Sequence, residues 1–120
     1  YCNTQFQSVV RPQMRMLFLD SRNALLLDEP LAWPMAPDPA EAVRLAVAHV
    51  LQRALEVQAS ALVTLSLTVR EQDVSSTLQA NIPFVTAMRK GAPLLAVSLH
   101  DHLVVGSDAW LSARQQGAGW

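Results

Sequence analysis

A chain of 120 residues is long enough for one domain with a modest core. Hydrophobic residues make up 51% of it and charged residues 16%, which excludes a disordered chain. Ten acidic residues against nine basic ones leave a formal charge of -1, and the Lys and Arg are scattered, so nothing in the composition supports binding of a phosphate backbone.

Cys2 is the single cysteine, which excludes an internal disulfide and a thiolate zinc cluster and fits a reducing cytoplasm. The apolar windows are broken by Glu, Arg, His or Pro, so no membrane span is expected. Tyr1 to Phe6 lacks the basic-then-apolar order of a signal peptide, and a start at Tyr reads as a piece of a longer protein.

In chain order, Met14 to Leu19 and Ala24 to Leu27 are apolar runs separated by Ser21, Arg22 and Asn23, the pattern of a β-hairpin. Their few polar positions predict strands covered on both faces. Pro30, Pro34, Pro37 and Pro39 predict an irregular connection. Asp38 is a helix N-cap, followed by Pro39 at the first helical position and Glu41 at the third. The helix it starts runs to Val57 or Gln58, with Val43, Ala46, Val47, Val50, Ala54 and Val57 on its apolar face.

Ala61 to Leu67 reads as a strand by its β-branched content, and Val69 to Ser76 as a polar loop. Thr77 to Gly91 has helical character, with Pro83 limiting where a helix can begin. Leu94 to Ser98 and Leu103 to Val105 are strands or the two halves of a bent one, Ala109 to Ser112 is a last strand, and the Gly-rich end reads as frayed. The resulting class is α/β, a mixed sheet flanked by helices in one domain over residues 1–120.

Several segments, in order and nearly in register, carry a family resemblance. They are Leu17-Phe18-Leu19-Asp20-Ser21-Arg22-Asn23, Leu27-Asp28-Glu29, Arg53-Ala54-Leu55-Glu56, Ala59 to Val63, and His100-Asp101-His102-Leu103-Val104-Val105-Gly106 with Ser112. Together they resemble the RadC-like JAB domain of the JAB/MPN (JAMM) metallopeptidase superfamily. The resemblance implies a JAB/MPN-like, cytidine-deaminase-like sandwich in a bacterial protein. It also implies zinc held by a His-x-His pair and an Asp, a metal-bound water, and a Glu base from the second strand.

On that resemblance the His-x-His positions fall on Ser66 and Thr68, and the Asp position on Leu78 or Gln79. The Pro-Ser-Gly-Asp-Pro that follows in the family becomes Val69-Arg70-Glu71-Gln72-Asp73. Glu29 keeps the position of the base. Hydroxyls are poor zinc ligands beside imidazole, and a base without a metal-bound water has nothing acidic to deprotonate. The first expectation is therefore a catalytically inactive JAB domain with no cofactor. It would act as a protein-binding or scaffolding module or by self-association, with Trp33 and Arg70 as partner-contact candidates.

Two alternatives stand beside it. His100 and His102 alternate by two, so on a regular strand they share a face, and with Glu29 they could form a rebuilt zinc site for a hydrolase or peptidase. The family name also carries an association with DNA repair, which would make this a nucleic-acid-associated module. Its relatives often place a helix-hairpin-helix domain before this one. For the remaining titratable groups the expectations are structural. His49 belongs on a solvated helix flank, and Asp28 and Glu29 face opposite sides of a strand.

Overall fold

The computed structural model describes residues 13–68 and 73–120. Five strands form one mixed sheet, β1 (Gln13–Leu19), β2 (Leu25–Leu31), β3 (Ala61–Leu67), β4 (Ser98–Val105) and β5 (Trp110–Ser112). Their order is β2-β1-β3-β4-β5; only the β3–β4 pair is parallel. Helix α1 (Pro39–Glu56) follows β2, α2 (Val74–Gly91) provides the crossover from β3 to β4, and a short α3 (Ala113–Gln116) follows β5. The α/β class and the mixed sheet match the sequence reading. No described helix is long and apolar enough to cross a membrane.

The hairpin turn is tied by Asp20, whose Oδ1 accepts from the backbone N–H of Arg22 (2.8 Å) and Ala24 (2.9 Å). Asn23 takes a positive φ of 64°, a conformation Asn tolerates better than most residues. Strand β2 runs through Asp28, Glu29 and Pro30 instead of stopping at Leu27. It is an edge strand, so the N–H that Pro30 lacks is missing from the ladder at little cost.

Asp38 caps α1 by accepting from the Ala40 N–H at 3.2 Å, with Pro39 at the helix start. The buried stripe is Ala42, Ala46, Val50 and Ala54, small residues at i, i+4 spacing that let the helix axis approach the sheet. Val43, Val47 and Val57 flank it, partly buried.

Besides the longer β2, and a β4 that takes in Leu99 to His102, two more boundaries differ from the sequence reading. Helix α2 begins at Val74, inside the predicted loop, because Asp73 caps it by accepting from the Ser75 N–H at 3.0 Å. Pro83 lies within the helix on its exposed side, while the buried Leu78, Phe84, Val85 and Met88 anchor both halves. Packing on either side of the proline outweighs the lost helix bond. The second difference is at Ala92–Leu95, a 3-10 turn and not a strand. Pro93 has no N–H for a ladder, and the turn closes through Ala96 at φ 59° before β4 begins.

The C-terminal segment is packed, not frayed. Trp120 lies under the Arg89 guanidinium, 4.8 Å from its ring centre. Gly119, at φ 76°, sits so close to Val85 that a Cβ would meet its side chain at 3.0 Å.

The described helices all pack on one face of the sheet. Directly opposed residues share a face, and Met14, Ser66 and Val104 form one such row. The larger core joins Met14, Met16, Phe18 and Leu62 to α1 and α2, and a smaller cluster joins Val104 to α2 and α3. On the opposite face, Leu17, Val63, Leu65, Leu103 and Val105 are only half-buried, so the expected coverage of both faces is not found among the described residues.

Candidate functional site

A row of residues crosses the helix-side face of the sheet, Glu29 on β2, Met16 on β1, Thr64 on β3 and His102 on β4. His102 at its far end is fully buried. Asn81 Oδ1 lies 3.0 Å from Nε2, and Thr64 Oγ1 lies 2.7 Å from Nδ1. An amide oxygen only accepts, so Nε2 carries a proton. Burial keeps the ring neutral, so Nδ1 accepts from the Thr64 hydroxyl and both nitrogens are used. Burial pushes its pKa down to about 4, against a weaker opposing pull from the Asp101 charge.

The alternation of His100 and His102 fails for a geometric reason. The β3–β4 register shifts between Leu62 and Val63, which pair with Leu99 and Asp101, so His100 is the extra residue of a bulge. Its Nε2 reaches Asn23 Oδ1 at 2.9 Å in the hairpin turn, away from His102. Glu29 lies three strand spacings from His102, roughly 14 Å across the sheet. The structure does not bring Glu29, His100 and His102 together.

Glu29 is instead occupied by Arg53 of α1. Arg53 Nε donates to Glu29 Oε1 at 2.6 Å and Nη2 to Oε2 at 3.3 Å, while Nη1 donates to Glu56 at 2.7 Å. These partners hold the Arg53 guanidinium even more firmly protonated than usual, and Arg53 draws the Glu56 carboxyl below its ordinary range. A carboxylate clamped at both oxygens by a guanidinium is a structural tie between helix and strand. Asp28 points to the other side and pairs with Arg15 at 2.9 Å. His49 is exposed on α1.

Asp101 explains the closing block of the sequence. Its Oδ1 accepts from the backbone N–H of His102 (2.7 Å) and Arg114 (3.1 Å), and its Oδ2 from the Ser112 hydroxyl. Ser112 in turn caps α3 by accepting from the Gln115 N–H at 3.1 Å. Gly106 follows β4 directly, where a Cβ would meet the Val74 side chain at 3.0 Å and Thr68 Oγ1 at 3.1 Å, so a larger residue there would push against the start of α2. Replacing Asp101 with Ala strands three donors, and the variant is expected to lose about 3 kcal/mol of stability in urea unfolding. Faster amide exchange at Arg114 and Gln115 should accompany it. A loss below about 1 kcal/mol would show that Asp101 does not hold α3 in place.

Ser66 and Thr68, the positions where the resemblance implies imidazole ligands, are at the end of β3 and beyond it. Ser66 Oγ and Thr68 Oγ1 are both buried without a hydrogen-bond partner among the described residues. Ser66 also lines a cavity of about 410 Å³ between the sheet, the two long helices and the loop after β2. Met14, Leu31, Trp33, Pro34, Met35, Val43, Ala80, Asn81 and Phe84 complete its wall. Trp33 meets Phe84 edge-on at 5.6 Å, and Phe84 meets His102 at 6.0 Å.

The described donors do not fit zinc. No three His, Cys, Asp or Glu side chains converge among the described residues, and neutral hydroxyls stand at both imidazole positions. Leu78 is buried in the smaller cluster and Gln79 is exposed, so neither supplies the carboxylate. Arg70 and the rest of 69–72 lie outside the described residues. Asn81 and Phe84 were missed in the sequence. Taking Asp73 as the N-cap would have found them, because 81, 84 and 88 then fall on one helical face.

A family model described as RadC-like JAB domain matches residues 1–118. A UPF0758 protein of Rhodobacter capsulatus is 36% identical over 117 residues, covering 98% of this chain and 52% of that protein. A UPF0758 protein of Ruegeria pomeroyi is 32% identical over 117 residues, covering 98% of this chain and 50% of its own length. The chain thus spans about half the length of these curated relatives. Its ordered segments from the β1–β2 hairpin to the Asp101–Ser112 tie, and this match over almost every residue, place the chain in the RadC-like JAB domain family.

Proposed function

We propose that this JAB domain works without zinc, as a binding or scaffolding module and not as a peptidase. The observation that carries this reading is the pair of buried hydroxyls at Ser66 and Thr68, which have no partner among the described residues. Two further features support it. Glu29 is committed to Arg53, and both nitrogens of His102 are committed to Thr64 and Asn81. The contact surface proposed for a protein partner is the loop after β2, where Trp33 is 42% exposed and Met35 89% exposed on an apolar lip.

Metal analysis tests this directly. Protein freed of metal with a chelator, mixed with equimolar zinc and desalted, is expected to retain far less than one equivalent. Zinc retained near one equivalent, and lost on replacing His100 and His102 together, would restore the hydrolase reading. The double variant Ser66→His with Thr68→His is expected to stay zinc-free as well. Two imidazoles without the carboxylate leave the site short of a ligand. Stoichiometric zinc in that variant would mean that a carboxylate still reaches the site.

A further inference from the structure

The cavity beside Ser66 has three properties that define a ligand. Its volume of about 410 Å³ lies in the range of small-molecule sites. Among the described residues no ionisable side chain lines it, so a charged ligand would find no compensating charge in that wall. Its walls offer the Trp33 and Phe84 rings and the Met14 and Met35 thioethers, groups that favour an aromatic guest.

Polar recognition comes from two groups. Ser66 is 1% exposed, and its hydroxyl is buried with no partner among the described residues. Leaving a hydroxyl in that state is unfavourable, and a ligand atom able to donate or accept would relieve it. Asn81 has its Oδ1 engaged by His102 and so offers a ligand its amide N–H groups. Trp33 and Met35 at the mouth are the most exposed wall residues among the large apolar ones, and a guest would cover them.

We infer that this cavity is a binding site for an uncharged aromatic small molecule carrying one hydrogen-bonding group, which Ser66 and Asn81 would meet. The inference rests on the zinc-free reading above, since a metal at Ser66 would take the same space. The small molecule and the protein partner proposed for the lip would compete, since both cover Trp33 and Met35.

The probe is p-cresol, titrated into the full chain and followed by isothermal calorimetry and by the indole N–H signals of the three tryptophans. The expected result is saturable one-to-one binding that shifts the Trp33 signal and leaves Trp110 and Trp120 unmoved. Ser66→Ala should weaken p-cresol about 3- to 10-fold while changing toluene, which lacks the hydroxyl, by less than about twofold. Benzoate should bind at least about tenfold more weakly than p-cresol. Ala80→Leu, at an exposed helix position that also lines the cavity, should abolish binding while keeping the helical circular dichroism signal.

Absence of saturable p-cresol binding, or binding indifferent to both Ser66→Ala and Ala80→Leu, would overturn the inference. A zinc assay on the same sample separates the two readings. Neither zinc nor p-cresol bound removes only the inference, whereas retained zinc removes both.

Discussion

Acidification from pH 6.5 to about 4 is expected to cost the folded protein about 3 kcal/mol through His102. The unfolded chain protonates an ordinary histidine near 6.5, while the folded chain keeps His102 neutral down to about 4. Between those values the unfolded state binds more protons, so stability falls as pH falls. The contribution is fully present above 6.5 and gone below about 4. Asp101 is the neighbouring charge and favours the protonated ring, but burial dominates. Glu56, drawn down by Arg53, adds its own loss only below its ordinary 4.5.

Urea unfolding at a series of pH values, for the native chain and for His102→Gln, checks this. The native curve should fall more steeply through the window, the difference approaching about 3 kcal/mol out of the 5–15 typical of a domain. Parallel curves for the two proteins would mean that His102 is not held neutral by burial.

Phe84→Ala is expected to destabilise the protein by about 3–5 kcal/mol. Phe84 is 1% exposed, belongs to the larger core, and touches both Trp33 and His102 edge-on. Its removal enlarges the cavity at Ser66 and deprives α2 of an anchor directly after Pro83. Denaturant unfolding should show a lower midpoint, and Trp33 emission should shift to the red in the folded variant as its neighbour is lost. A change below about 1.5 kcal/mol would show that α2 is held without this ring.

The two effects share an origin. His102 and Phe84 lie where α2 crosses the β3–β4 pair, so the helix bearing the proline is the one that closes the site. Strain at Pro83 is tolerated because residues on both sides of it are fixed by burial.

Local chemistry was legible wherever one residue's side chain acts on its immediate backbone. Asp38 capping α1, Asp20 and Asn23 in the hairpin turn, and the β-branched run of β3 follow from propensity and hydrogen-bond reach alone. The missing imidazoles at Ser66 and Thr68 were also plain in the sequence, because residue identity is what a ligand set requires. Errors arose where a proline looked decisive. Pro30 sits on an edge strand and Pro83 on an exposed helix side, and in both places the lost N–H is harmless in context. At Ala92–Leu95 the opposite held, since Pro93 ended a run that hydrophobicity alone read as strand.

By itself the sequence determined the family, the α/β class, the α1 cap and the absence of imidazole from Ser66 and Thr68. Those properties depend on residue identity and short-range periodicity. The tertiary structure alone decided that His100 and His102 part at a β-bulge, that Glu29 is clamped by Arg53, and that Ser66 opens onto an apolar cavity. Each of these depends on strand register, helix rotation or packing between distant segments, which are set by the whole chain and carry no local signature.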